Sequence, residues 1–514
     1  MYCNQKILIN NYLKSGKVYS PKLTLYAFHL RHSLNLGPAT TVPNADDIWH
    51  KFQQIGNKLN IQELQHLLEI IKNEYSQKSI VRGEILSSRF LEFTPIEDNN
   101  KLFLTGELMP LQIHDTYAVD LTYRYAQQNV PISQLQGLNP DNCLLPSNID
   151  ASLGQTLVLF AKPEDDFTEQ RDGTVLNSKE QQQQAFADAC VTTLISEIKV
   201  QELKVSCQYQ GELLGSPFFE YNNDADCPKN QCHIIIWFNS DRRTEELEEK
   251  GDYYNHLIDL LSCRWKIIYS HNEAIKCNQK ARQLYSELEK YKEQFKGCRY
   301  KSIETQLAEY SLWLKEIPEI AFMYADYVRN LESQRNTIAT NSKNYSLYLK
   351  NLEKIILESD EIASWWFFLN LSENTYVEQI NTELDYLITG QKFFDQMINT
   401  IRGIVEIEQA ELDRTTQNLL RQKEETDKTR NDNLQKAIAI LGFGLGAAQI
   451  GVSTAPYVIP QQQPPTPIQL PFTTSQPHPF VSSVLLSLIF GIAGAFVGWG
   501  LSSLLQAIAT HKKN

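Results

Sequence analysis

Apolar residues recur along this chain in three rhythms, and each predicts a different kind of element. In residues 1–240 the runs are short. Leu23–Leu30 (LTLYAFHL), Thr156–Ala161 (TLVLFA) and His233–Phe238 (HIIIWF) are apolar or alternating and bounded by turn residues, the pattern of strands. Asn60 followed by Glu63 predicts a capping box opening a helix that carries Leu64, Leu67, Leu68 and Ile71. Ser178 opens another, with Phe186, Cys190, Leu194 and Ile198 on one face. A sheet with at least three helices predicts an α/β or α+β domain over 1–240.

From 241 to 372 the rhythm lengthens to that of helices. One tract runs from about Thr244 to Lys296, with Leu247, Tyr254, Leu257, Leu261, Trp265 and Ile268 on one side. The next runs from about Ser302 to Ser359 with a bend at Pro318. Both are rich in Glu and Lys outside the apolar stripe, so each is expected to pack on one face only. WWFFLNL (Trp365–Leu371) is too short to span a bilayer and is expected to bury against the N-terminal domain. Over 373–436, Ile380, Leu387, Phe394 and Ile401 recur every seven residues. Leu384, Ile398, Val405, Leu412 and Leu419 lie between and beyond them, with breaks at Gln391, Glu408 and Thr415. This predicts a long stalk helix packed against other helices. Its end, Arg421–Lys436, is polar on every side except Leu434.

The third rhythm is an absence. Residues 437–510 contain no Asp, Glu, Lys or Arg, in a chain that is 21% charged. Ala437–Ser453 and Phe480–Ala507 are each long enough, at ~1.5 Å per residue, to cross a bilayer core that needs about 20 residues, the first with a little of its flanks. They predict transmembrane helices over 437–455 and 480–510. Residues 456–479 hold eight prolines and predict an extended outside loop. Arg421, Lys423, Lys428, Arg430 and Lys436 precede the first span and Lys512 and Lys513 follow the second, which places both ends in the cytoplasm.

Charge narrows the partners. The net charge is −13, and because Lys512 and Lys513 are the charges after position 436, the first 436 residues carry −15. Direct nucleic-acid binding is not expected of such a surface. An acidic body attracts cations, and a divalent cation is the one cofactor considered, although a solvated surface explains the same balance. The nine cysteines have no framework spacing and are read as reduced thiols in a cytoplasmic domain. No signal peptide is apparent in MYCNQKILINNYLKSGK.

Catalytic motifs are missing. There is no P-loop, Rossmann glycine set, G-x-S-x-G or H-E-x-x-H. Cys227, Cys232 and His233 offer zinc-binding atom types at an unusual spacing, against the plainer reading of buried thiols beside a strand. His114 and Asp115 form an isolated HD pair, and His271 and Glu273 lack the P-C-x-x-C of a deaminase. The expectation is no enzyme.

Steps of three and four along the first span place Gln435, Ala439, Gly442, Gly446, Gln449 and Ser453 in one stripe, with Ile438, Leu441, Phe443, Leu445 and Ile450 on the other sides. Such a stripe is either a close-packing seam or a pore lining. The second span carries Gly491, Gly494 and Gly498, the latter two in the GxxxG spacing of a packing helix.

The order of parts resembles the CorA family of two-span cation channels and transporters: an acidic cytoplasmic domain, long helices, a stalk entering the membrane, an outside loop, a second span and a short basic tail. The resemblance implies a homopentamer in a prokaryotic inner membrane, with the first span lining the pore and the second forming an outer ring. The family's Gly-Met-Asn filter has no counterpart. Ser453, Thr454, Ala455, Pro456 and Tyr457 stand in its place, so no filter residue carries over. Divergent CorA-like proteins also serve as nucleotide-messenger-gated effectors of type III CRISPR antiviral systems. The expectations are therefore a gated ion channel or transporter, such an effector with a small nucleotide ligand, or a non-conducting membrane-tethered scaffold.

Overall fold

The computed structural model of the protein describes residues 2–35, 40–74, 82–97, 101–168, 170–172, 175–251, 253–356 and 360–424. They belong to two compact units, Met1–Gly403 and Ile404–Asn514. Both expected membrane spans, the proline-rich loop, the stripe from Gln435 to Ser453 and the glycines Gly491, Gly494 and Gly498 lie outside the described residues. Among the described residues no helix is long and apolar enough to cross a membrane.

The first unit is built on a mixed sheet. Its main strands are β1 (Lys17–Leu30), β2 (Arg82–Glu84), β3 (Phe103–Ile113), β4 (Thr116–Arg124), β5 (Gly154–Pro163), β6 (Ser206–Leu213), β7 (Ser216–Asn222) and β8 (His233–Phe238). They lie in the order β6-β7-β8-β5-β1-β4-β3-β2. Neighbours are antiparallel except β8 and β5, which run parallel with His233 beside Thr156. The three runs read as strands are strands.

Both faces of the sheet's centre are covered, which is why its strands read as nearly unbroken apolar runs. Leu23, Leu25, Leu157, Leu159, Ile234 and Ile236 share one core with helices α1 (Tyr2–Ser15), α2 (Asp47–Leu59) and α3 (Lys179–Leu194). On the alternate positions Thr156 and His233 meet Trp265 of α5 (Tyr254–Cys298), and Trp237 meets Tyr253 in the short turn between α4 (Arg242–Lys250) and α5. Lys22, on this second face, pairs with Glu248 and Tyr254. Two ion pairs, Arg82–Asp259 at 3.0 Å and Lys266–Asp115, fasten α5 to the sheet.

Ser178 forms the expected capping box with Gln181. Three local expectations need correction. Asn60 closes α2 instead of opening a helix: it adopts a left-handed conformation (φ 54°, ψ 38°) and its N–H binds Gly56 O. Glu63 then accepts from Thr94, although Leu64, Leu67 and Ile71 are buried as predicted. The helix from Ser178 stops at Leu194, because Ser196 turns to φ 63°. Ile198 sits in a separate helix, Glu197–Leu203, and is 70% exposed. The tract from Thr244 is divided at Gly251, whose left-handed φ of 68° ends α4.

Helix α5 and helix α6 (Ile303–Glu353) form a long hairpin, and α6 continues through Pro318. Helix α7 (Ala363–Leu371) buries Trp365, Phe368 and Leu369 but leaves Phe367 68% exposed. A π-helical turn, Ser372–Tyr376, joins it to α8 (Val377–Glu424). The heptad seam of α8 is real from Ile380 to Ile401, where Ile380, Leu384, Leu387, Phe394 and Ile401 are buried. Its partner is the chain's own hairpin: Tyr324 packs on Phe394 at 5.0 Å and donates to Leu387 O at 2.7 Å. Gly390 makes this approach feasible, since a Cβ there would lie 2.3 Å from the Tyr324 hydroxyl. Within the second unit the described residues are Ile404–Glu424, a continuation of the same helix, where Ile407, Leu412 and Leu419 are exposed.

Candidate ligand-binding cleft

A cleft of about 510 Å³ opens where the β6-β7-β8 edge meets α5, α7 and the π-helical turn. Two of its lining residues, Glu220 and His233, belong to a line of buried polar groups. Trp265 Nε1–H donates to Thr156 Oγ1 (3.0 Å), and Thr156 Oγ1 lies 2.9 Å from His233 Nδ1. His233 Nε2 lies 3.2 Å from Glu220 Oε1, which also accepts from Trp365 Nε1–H (3.3 Å). The ends dictate the direction of every bond. An indole N–H can only donate and a carboxylate can only accept. His233 is therefore the Nε2–H tautomer, and Thr156 donates to its Nδ1. The line crosses from α5 through β5, β8 and β7 to α7, and ties both helices to one sheet face.

Burial opposes charge at both titrating members, yet they respond differently. Burial raises the Glu220 carboxyl, but the His233 hydrogen bond and the nearby Arg264 guanidinium outweigh it and hold the group down at about 2. Burial lowers His233 below its usual value, so the ring is neutral. The arrangement resembles a hydroxyl–imidazole–carboxylate triad in its atoms, but not in its access. Thr156 is fully buried and already accepts from Trp265, so it presents no nucleophile to a substrate.

The walls are aromatic. Arg264 lies over the Phe368 ring at 4.4 Å, and its Nε is buried without a hydrogen-bond partner. His271 stacks on Tyr376 at 3.8 Å and 12°, which anchors the π-helical turn to α5. Tyr209 donates to Glu361 O (2.9 Å) and accepts from Ala363 N–H (3.1 Å), fixing the start of α7. Phe367 stands at the mouth.

The residues singled out for metal chemistry do not form a centre. Both His233 nitrogens are engaged, Cys232 is buried, and the elements of the HD pair are separated in role: Asp115 binds Lys266 and Thr116, and His114 is a left-handed turn residue. His271 stacks on Tyr376, and Glu273 pairs with Lys276. Among the described residues no group of His, Cys, Asp or Glu is placed to hold a metal ion, so a site for the divalent cation considered above is not found among them. The eight cysteines whose side chains are described are free; five are buried and three are partly so. No family model, no curated protein and no solved structure matches the chain.

Sequence reading passed over Glu220 and Arg264. Each left a trace: a single carboxylate inside the apolar run PFFEY, and a single guanidinium between Cys263 and Trp265 on the buried side of a helix. A charge in such a position needs a partner.

The tautomer assignment has a measurable consequence. Unfolding lets His233 take up a proton at pH values below about 6.5, whereas burial disfavours the charged ring in the folded state, so stability falls as pH drops below that point, by up to about 1.4 kcal/mol per pH unit. Glutamine can donate to Glu220 and accept from Thr156 without titrating. Denaturant titrations of wild type and His233→Gln between pH 6.5 and 5 should differ in slope by that amount; parallel curves would refute the assignment.

Proposed function

We propose that this protein is a homo-oligomeric membrane ion channel or transporter of CorA-like arrangement, gated through its N-terminal unit. The carrying observation is the sequence of residues 437–510, 74 positions without one Asp, Glu, Lys or Arg. A stretch of that length and composition, with two apolar segments and basic residues at both flanks, is what two spans with cytoplasmic ends require. In a pentameric ring in a prokaryotic inner membrane, the stripe Gln435, Ala439, Gly442, Gly446, Gln449 and Ser453 would face the axis. Small and polar side chains there keep a central path passable to hydrated ions. The packing glycines Gly491, Gly494 and Gly498 would hold the outer helix.

The cleft supplies a place for a gating ligand, because it is bounded by the same α7 and π-helical turn that lead into α8. A ligand that changes the seating of that turn would act on α8, which precedes residues 437–510 in the chain.

Flux through vesicles reconstituted with full-length protein tests the reading. Wild type should conduct, and Gln449→Leu should reduce flux at least ten-fold by removing the polar ring. Equal flux would remove Gln449 from the path. A monomer or dimer in detergent, or a protein that stays in solution without detergent, would refute the channel altogether.

A further inference from the structure

The β6–β7 turn holds a segment that lies far along the chain. Leu214 and Gly215 both adopt positive φ (57° and 74°), and successive N–H groups in such a turn form a concavity that suits an anion. The Asp360 carboxylate fills it. Leu214 N–H donates to one of its oxygens at 2.5 Å and Gly215 N–H to the other at 2.7 Å. Glu361 then adds one rung to the outer edge of β6: its N–H donates to Glu212 O at 2.9 Å, and its carbonyl accepts from Glu212 N–H at 3.3 Å. Gly211 permits this approach, since a Cβ there would lie 2.3 Å from Glu361 O.

This strap, Asp360–Ile362, leads directly into the cleft wall. Tyr209, a lining residue, donates to Glu361 O and accepts from Ala363 N–H, and Ala363 and Ser364 are lining residues that open α7. The strap and the helix are held by different means. Buried Trp365, Phe368 and Leu369 anchor α7, and Trp365 Nε1–H is tied to Glu220. In the strap Ile362 is buried, whereas Asp360 is half-buried, Glu361 is exposed, and both meet the sheet through hydrogen bonds at its edge. A segment with exposed backbone hydrogen bonds and little buried apolar surface opens locally, at a lower free energy than the strands of a core.

We propose that Asp360–Ile362 is a releasable latch on the cleft. While Asp360 occupies the Leu214–Gly215 turn, Tyr209 and the first turn of α7 keep their places in the wall. When it leaves, that end of the wall opens and α7 stays docked through Trp365. The latch sets the width of the cleft whether or not residues 437–510 conduct.

Hydrogen exchange of the full-length protein in detergent tests the latch without any substitution. The amides of Leu214, Gly215, Glu361 and Ala363 should exchange at least ten-fold faster than the central amides of β5 and β8, at a rate that low denaturant leaves unchanged. Asp360→Asn keeps one acceptor oxygen but sets an NH₂ group against the second N–H, so exchange at these four amides should rise about ten-fold further, with β5 and β8 unaltered. Gly211→Ala pushes on Glu361 from the other side of the contact and should have the same effect. Access to the wall gives a separate readout: alkylation of Ser364→Cys by iodoacetamide, followed by peptide mapping, should be about ten-fold faster when Asp360→Asn is added. Strap amides that exchange as slowly as β5, with the same denaturant dependence, would show that the strap opens only on global unfolding and would overturn the proposal. Alkylation unchanged by Asp360→Asn would overturn it as well, because the strap would then have no hold on the wall.

Discussion

Glu220→Ala is expected to lower the unfolding free energy by about 3–5 kcal/mol, the range for removing one partner of a buried charged network. Three groups lose what the carboxylate supplies. His233 Nε2–H and Trp365 Nε1–H lose their shared acceptor, and Arg264 loses its opposing charge. A buried donor left without a partner carries a desolvation cost of about 1–3 kcal/mol, and a charge costs more. Glu220→Gln separates the two contributions. Both donors converge on one oxygen, Oε1, which a glutamine carbonyl can replace. Gln should therefore cost only about 1–2 kcal/mol, attributable to the missing charge beside Arg264. Chemical denaturation of the full-length protein, followed by fluorescence, reads both variants because Trp265 and Trp365 end the network. Equal losses for Ala and Gln would mean that the hydrogen bonds contribute nothing. A pH profile adds an independent check. The folded carboxyl lies near 2, below its ordinary value of 4.5, so its contribution is complete above 4.5 and declines as pH falls toward 2.

Gly154→Ala should be comparably damaging, at about 3–5 kcal/mol, for a steric reason. Gly154 opens β5 at φ 135°, a conformation L side chains rarely adopt, and the position of its missing Cβ is 2.2 Å from Trp265 Cε3. Backbone strain of ~1–3 kcal/mol and overpacking of ~1–3 kcal/mol act together. The indole cannot retreat freely, because it is fully buried and its Nε1–H is spent on Thr156 two residues along the same strand. A double-mutant cycle with Trp265→Leu apportions the terms: on that background Gly154→Ala should retain the strain and lose the clash. An undiminished cost in the double variant would locate the whole effect in the backbone.

These two sites show where reading the chain succeeds and where it stops. Residues within one element report on their own conformation, since periodicity is set by the local backbone. Hence Leu23–Leu30, Thr156–Ala161 and His233–Phe238 were legible as strands, Ser178 as a helix start, and Ile380–Ile401 as a buried helical face. Asn60 and Ile198 misled for a related reason. An Asn can cap a helix at either end, and a single left-handed residue, Ser196, rotates everything after it out of register.

By itself the sequence determines the strands at Leu23–Leu30, Thr156–Ala161 and His233–Phe238 and the long helical tracts, that the body is acidic, and that residues 437–510 are without charge; these follow from composition and spacing along a line. Only the tertiary structure decides what each buried face meets. The heptads of α8 say that a seam is covered, and packing reveals that Tyr324 of the same chain covers it. Likewise Glu220 and Trp365 are 145 positions apart and adjacent in space. No local pattern encodes that pairing, because a charge inside an apolar run states the need for a partner without saying where in the chain the partner lies.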